Sequence, residues 1–385
     1  MEYLLKNYNP FDVKFTKGVN ATLFDEKGEK YIDFTSGIGV VSVGHGNEKL
    51  ANAICEQAKN IIHISNIYRI APQEKLARIL VSHYGDGGVF FANSGAEVNE
   101  AALKIARKYG EINGKPKRYK IITLENSFHG RTISTLKATG QPKFHQYFGP
   151  FPDGFIYAKD IKDIYSKIDD KTVAVMIELI QGEGGVNPFD KDEVKNLANE
   201  LKKRDVLFIV DEVQTGIYRT GEFYASNLYE ITPDIITLAK GLGGGVPIGA
   251  VVTRLTDVLK PGDHGSTFGG NYLSTRAGIE VCEILKEEKE SKKLDNRVKY
   301  FEDKLIEIAK EFPDIFDKVS GYGLMRALKT HTSEARDEIV KKAFENKVLV
   351  LKAGTHSVRF LPPLTISNDE IDEGFERFKE VLIKL

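Results

Sequence analysis

Asp234-Ile235-Ile236-Thr237-Leu238-Ala239-Lys240-Gly241-Leu242-Gly243-Gly244-Gly245 is an apolar run, then a lysine, then a glycine cluster. A short continuous apolar run bounded by breakers reads as a strand buried on both faces. A lysine just past such a strand sits in a partly dry place. Burial there destabilises the ammonium, lowers its pKa and makes the amine a usable nucleophile. The glycines let the backbone turn sharply or approach a ligand closely. A solvated loop lysine has the same local pattern, so the choice between the two rests on the rest of the chain.

The flanking sequence repeats the motif of the strand. Val89-Phe90-Phe91, Tyr119–Leu124, Val173–Ile177, Leu207-Phe208-Ile209-Val210 and Gly249–Thr253 are further short apolar runs. Amphipathic stretches such as Ala96–Tyr109 and Lys191–Arg204 stand between them. That alternation predicts an α/β fold with a mostly parallel sheet covered on both faces. Ligands of such sheets bind beyond the carboxyl ends of the strands. Asn93, Glu178, Asp211 and Lys240 all follow on those ends.

Residues 1–35 read as an extended arm and a hairpin, with strands Asn20–Asp25 and Lys30–Phe34. Thr35–Val40 reads as small and flexible, and helices are expected over about 48–61 and 73–83. A long helix is expected from Asn271 to about Glu290, its charged end marking a domain joint. The remainder reads as a smaller α/β lobe, with helices over Asn296–Phe312, Thr332–Asn346 and Asp369–Lys384 and strands Val348–Leu351 and Val358–Phe360.

The length of 385 residues allows two domains. A net charge of −1 gives no global field for nucleic acid or an anionic membrane. No apolar run approaches the roughly 18–20 residues of a membrane span. Met1–Tyr8 lacks an apolar leader core, and Cys55 and Cys282 form no ligand spacing, which together suit a reduced, cytoplasmic setting.

Several groups carry chemistry, each with a plainer alternative. Ser94-Gly95-Ala96 lies between a strand and a helix, either as an anion nest or as a helix cap completed by Glu97. Phe128-His129-Gly130-Arg131 offers a stacking ring and a carboxylate-binding guanidinium, or is a surface loop. Glu178 and Glu183 are two acids at a strand end, with no third ligand at metal spacing, so no metal is expected. Asp211 at the end of a buried strand needs a cation or several donors. No GxxxxGK[ST], GxGxxG or GxSxG pattern accompanies it. Gly265–Gly270 is a second hydroxyl- and glycine-rich turn, and Arg359 is an arginine inside an apolar strand that demands an anion. Together these describe a flat phosphorylated heterocycle: a nest for phosphate, a ring to stack on it, a carboxylate for a ring nitrogen and a lysine to bond an aldehyde. That is pyridoxal 5'-phosphate.

On these residues the chain resembles the class III pyridoxal phosphate aminotransferases, most closely the acetylornithine aminotransferases. The matching stretches include Tyr31–Ile38, Phe91–Glu100, Ser127–Thr132, Glu178–Gly185, Asp211–Gly216, Ala239-Lys240-Gly241, Gly265–Gly270 and Arg359–Leu364. The resemblance implies the aspartate-aminotransferase-like, fold type I architecture. Its large cofactor-binding domain would span 44–288, with 1–43 and 289–385 forming the small domain. It implies that Lys240 bonds the cofactor and shuttles a proton, and that Asp211 keeps the pyridine nitrogen protonated. Val213 and Phe128 would pack on the two ring faces, Gln214 would meet the phenolic oxygen, and Glu212 would belong to the same cofactor-binding stretch. Ser94, Gly95 and Ala96 would hold the phosphate, with Thr267 reaching it from a neighbouring subunit in a homodimer with shared active sites. Arg131 and Ser266 would contact substrate, Arg359 would bind the α-carboxylate of glutamate or 2-oxoglutarate, and Glu183 would cover Arg359 when the ω-amino donor binds.

The reaction so implied moves the δ-amino group of N2-acetylornithine to 2-oxoglutarate. Ornithine, succinyl-diaminopimelate and 4-aminobutyrate are the alternative donors, and a non-catalytic protein of the same fold is a remote one. Ala96 stands where a threonine is common and Val98 where alanine is usual. Gly44–Asn47 lacks the usual proline-containing sequel, and the segment from Gly321 to about Glu334 is short.

Overall fold

A computed structural model describes residues 3–113 and 117–385. Met1 and Glu2, the start of the stretch read for a leader, lie outside the described residues. Among those described, no helix is long and apolar enough to cross a membrane.

Seven strands form the central sheet, in the order Gly88–Ala92, Gly249–Thr253, Ile235–Leu238, Leu207–Asp211, Thr172–Ile177, Lys120–Leu124, Phe155–Ala158. All neighbours run parallel except at Gly249–Thr253, which is antiparallel to both of its neighbours. The expected mostly parallel sheet is present. The exception follows from chain length, since residues 239–248 are too few for a helical crossover and a short return makes an antiparallel pair.

Alternate residues of the strands feed two cores. Ala174, Met176 and Ile209 pack with Val98, Ala102 and Ile105 of helix Gly95–Asn113. Val175, Ile177 and Val210 pack on the other face with Val194, Leu197 and Leu201 of helix Lys191–Lys203. Each large apolar side chain so buried is worth about 1.5–3 kcal/mol, and both faces are covered, which holds the strand ends in place.

A second, antiparallel sheet has the order Phe316–Tyr322, Met325–Thr330, Ser357–Phe360, Leu351–Ala353. A third joins the amino-terminal strands Phe15–Val19, Thr22–Asp25 and Lys30–Asp33 to Val348–Leu349, so the two ends of the chain meet. Phe34 seals that meeting against Phe375 and Phe301, with ring centroids 5.0 and 5.5 Å away.

Phe15–Val19, Phe155–Ala158, Phe316–Tyr322 and Met325–Thr330 are strands that periodicity did not announce. Phe316–Tyr322 is largely polar, and Met325–Thr330 carries Arg326, which donates to Gly321 O of the paired strand and pairs with Glu302, and Lys329, whose partner Asn187 is 142 positions away. The segment read as flexible, Thr35–Val40, is instead a left-handed turn. Ser36, Gly37, Ile38 and Gly39 all have positive φ, from 42° to 76°. It is tied by Ser36 Oγ donating to Leu361 O at 2.6 Å.

Candidate active site

The carboxyl ends of Leu207–Asp211 and Ile235–Leu238 lie side by side, with Asp211 in register with Thr237. Asp211 and Lys240 therefore leave the sheet at one edge. They open into a cavity of about 390 Å³, also lined by Phe128, Glu183, Val213 and Gln214. Lys240 sits at a positive φ of 42°, a region costly for any side chain but glycine. Its ammonium makes no hydrogen bond or ion pair with the described residues. Burial lowers its pKa, opposed in part by the charge of Glu183.

Asp211 is held from three sides. Asn99 Nδ2 donates to Oδ2 at 2.7 Å, His129 Nδ1 donates to the same oxygen at 2.8 Å, and Val213 N donates to Oδ1 at 3.0 Å. The His129 proton on Nδ1 follows from Asp211 being its partner. Glu178 lies close by and receives Phe128 N at 3.0 Å. Burial pushes its carboxyl up to about 7, with His129 opposing.

Gly95 and Ala96 open the helix Gly95–Asn113, so their N–H groups point out of its amino end. A Cβ at Gly95 would stand 2.8 Å from Val213 Cγ1, so only glycine lets the helix end and Val213 share one wall. Val98, the bulkier departure, is accommodated because Gly249 faces it, where a Cβ would come within 2.8 Å of Val98 Cγ1. The Ser94 hydroxyl is in its plainer role: it donates to Glu97 Oε2 at 3.1 Å and accepts from Glu97 N at 3.3 Å. Phe128 forms another part of the wall. Arg131 reaches the mouth, its guanidinium 5.4 Å from the Phe128 ring and 4.0 Å from that of Phe144.

At the edge of the cavity Arg359 Nη1 donates to Glu183 Oε1 at 2.7 Å and to Gln214 Oε1 at 3.1 Å. Burial raises the Glu183 pKa. The charge and hydrogen bond of Arg359, with the charge of Lys240, outweigh that and hold it below the ordinary range.

Two residues assigned to the site lie elsewhere, and Thr267, expected to reach the site of a neighbouring subunit, lies outside its own. Glu212 follows Asp211 but points to the opposite side of the strand, as alternation requires. Its carboxylate accepts from Ala225 N, from Ser226 N at 2.9 Å and from Ser226 Oγ at 2.5 Å, capping a short helix instead of lining the cavity. Ser266 and Thr267 are outside the lining as well. Ser266 Oγ accepts from Asn93 Nδ2 at 3.2 Å, and Thr267 is exposed.

Conversely, the sequence reading assigned no role to Asn99, His129 and Val40, which line the cavity. Asn99 was recoverable, four positions after Gly95 and thus on the same helix face. Val40 depends on the left-handed turn, which no periodicity encodes.

These residues fit pyridoxal phosphate. A lysine amine without a partner among the described residues, a carboxylate held by three donors, helix-end N–H groups and the apolar lining of Phe128 and Val213 are its complement. The buried Asn99 Oδ1 and His129 Nε2 are polar atoms with no partner among the described residues.

The Aminotransferase class-III profile matches residues 3–382. The acetylornithine aminotransferase of Wolinella succinogenes is 57% identical over 99% of this chain and 98% of its own length. That of Aquifex aeolicus is 48% identical over 99% of this chain and all of its own. Among solved structures, the ornithine aminotransferase of Toxoplasma gondii superposes with a TM-score of 0.93 at 33% identity, covering 100% of this chain and 93% of that one. The N-acetylornithine aminotransferase of Stenotrophomonas maltophilia gives 0.84 at 32% identity, covering 98% and 97%.

Proposed function

This chain belongs to the class III aminotransferases, and we propose that it moves the δ-amino group of N2-acetyl-L-ornithine to 2-oxoglutarate, in arginine biosynthesis. The products are N-acetylglutamate 5-semialdehyde and glutamate. The observation that carries the reading is the Arg359–Glu183 ion pair at the cavity edge. An enzyme that takes an amine with no carboxylate beside it, then a 2-oxo acid, needs one arginine that can be covered and uncovered.

It is a pyridoxal-phosphate-dependent transaminase, and when bound the cofactor supplies an aldehyde that receives the amino group and a ring that stores an electron pair. Lys240 would hold it covalently and Asp211 would keep a proton on its ring nitrogen. Asn99 and His129 orient Asp211. The helix end at Gly95–Ala96 would bind the phosphate. Lys240 Nζ, with its lowered pKa, is free to take a proton from the donor carbon bearing the amino group and to return one. Phe128 and Val213 exclude water from both sides. Arg131 would receive the donor's α-carboxylate, the end remote from the δ-amino group, and Glu183 keeps Arg359 neutralised meanwhile. Arg359 is released when the 2-oxo acid offers its own carboxylate.

We assign Thr267 to a second copy, in a cytoplasmic homodimer with shared sites. Thr267 is exposed and outside its own cavity, and Phe268 beside it is 61% exposed. Ile62, Ile67 and Tyr68 continue the apolar face, joined to this loop by Asn66 Nδ2, which donates to Gly269 O at 2.9 Å. The lobe boundaries near 43 and 288 belong to the same proposal, supported by the shared sheet of Lys30–Asp33 and Val348–Leu349.

Ornithine is the second reading, favoured by the fold-level similarity to an ornithine aminotransferase. Single-turnover bleaching of the yellow enzyme with ω-amines, with and without the N2-acyl group, decides between them. N2-acetylornithine should react at least about tenfold faster than ornithine, a difference of 1.4 kcal/mol. The reverse order transfers the assignment to ornithine.

A further inference from the structure

Lys329 lies outside the cavity and has no part in the chemistry above. Its strand pairs with that of Arg359, so that Lys329 faces Ser357 and Ala327 faces Arg359. Ser357 and Arg359, two positions apart, share a face of their strand. The Lys329 ammonium donates to three oxygens: the Gly185 carbonyl, Asn187 Oδ1 at 2.6 Å and Ser357 Oγ at 3.0 Å. Ser357 Oγ itself donates to the Gly185 carbonyl at 2.8 Å.

Gly185 and Asn187 belong to the hairpin that carries Glu183. Its two strands, Ile180–Gln181 and Asn187–Pro188, are only two residues long. Within the turn, Gly185 N and Val186 N both reach the Gly182 carbonyl at a long 3.3 Å. Val186 has a positive φ of 57°, strained for a β-branched residue. A turn so weakly closed by itself depends on outside tethers. Gly354 N donating to Glu183 O at 2.9 Å and Ser320 Oγ donating to Val186 O at 2.7 Å are two of them.

Lys329 differs from those two in being a half-buried cation with no carboxylate at ion-pair distance among the described residues. Burial, with Lys318 nearby, lowers its pKa to about 8. A methionine would fill the same space without that cost, so stability alone does not account for an ammonium at this place. What the ammonium adds is position: it fastens the Glu183 hairpin to the strand bearing Arg359.

We infer that Lys329 is a positioning residue for substrate selection, holding Glu183 against Arg359 and so favouring the ω-amino donor over the 2-oxo acid. The inference rests on the proposed gate and names a residue that biases it.

The test uses the holoenzyme of Lys329→Met in two measurements. The first is the pair of half-reactions, followed separately. Loss of one charge-assisted tether should lower kcat/KM for the ω-amino donor on the order of tenfold, through KM, and leave the 2-oxoglutarate half within about twofold or faster. The second is hydrogen exchange of peptides spanning 180–188, which needs no substrate and should become faster. Asn187→Ala removes one of the three acceptors and should give the same asymmetry, weaker, should Lys329→Met fail to fold. Equal losses in both halves, or unchanged exchange, overturn the inference. Glu183→Gln tells the two levels apart. If it too is symmetric, the gate itself falls. If it is asymmetric while Lys329→Met is not, only the role of Lys329 falls.

Discussion

The floor of the cavity and its edge are built by different means. Asp211 and Lys240, the floor, leave adjacent parallel strands of one sheet covered on both faces. Asp211 is 4% exposed and accepts three hydrogen bonds, so moving it would break several charge-assisted contacts at once. The edge joins Glu183 to Arg359 across 176 positions of sequence, from a two-residue hairpin to a strand of another sheet. The Glu183 side chain remains 31% exposed. A partly exposed pair is worth about 1 kcal/mol or little more, because water competes for both charges. A substrate carboxylate can displace it. Groups that must be still are placed on buried strand ends, and the group that must move is placed on a joint.

The largest effect should come from the floor. Lys240→Ala should lower turnover with every donor by about 10⁴-fold, the upper range for a positioned acid–base group. It should also prevent borohydride from fixing cofactor to the chain. Retained transamination in a colourless variant would remove Lys240 from the mechanism and erase the contrast.

At the edge, Arg359→Ala should divide the two half-reactions. Loss of a buried charge-assisted contact to the 2-oxo acid costs on the order of 10²-fold in kcat/KM for that half. The ω-amino donor half should fall by less than about tenfold, since it uses Arg359 only to neutralise Glu183. Rapid-mixing absorbance of each half separately gives the ratio, and a ratio near one would mean that floor and edge serve both substrates alike.

The smallest effect concerns the electrostatics behind the floor. The folded pKa of Glu178, about 7, lies above its ordinary 4.5, so the fold prefers the neutral carboxyl. The stability it contributes is full below pH 4.5 and is lost as pH rises through 7. In cofactor-free protein, stability should fall between about pH 5 and pH 8 by on the order of 1–2 kcal/mol more in the parent than in Glu178→Gln. Parallel melting curves at both pH values would show that Glu178 is charged throughout.

The floor was readable residue by residue because its signals are local. A strand must end before Asp211 and Lys240 can leave it, and an apolar run followed by a charged residue records that end in the sequence. Glu212 shows the limit of such reading. It stands in the same conspicuous stretch, yet its carboxyl group is turned to the far side, where the Ala225 and Ser226 N–H groups donate to it. The strand Met325–Thr330 went unread for the opposite reason, since Arg326 and Lys329 look like solvent residues until backbone carbonyls cover them, those of Gly321 and Gly323 in the same hairpin for Arg326 and the distant one of Gly185 for Lys329.

By itself the sequence determined the α/β alternation, the strand ends that carry the chemistry, and the kinship that names the cofactor. Those are properties of neighbouring residues and of recurring short motifs. Tertiary structure alone decided that Asn99 and His129 hold Asp211, that the Ser36–Gly39 turn presents Val40, and that Lys329 tethers the Glu183 hairpin. Each of these joins residues far apart in the chain through a polar contact. The contact is favourable only after folding has excluded water from both partners, so neither partner's local sequence records it.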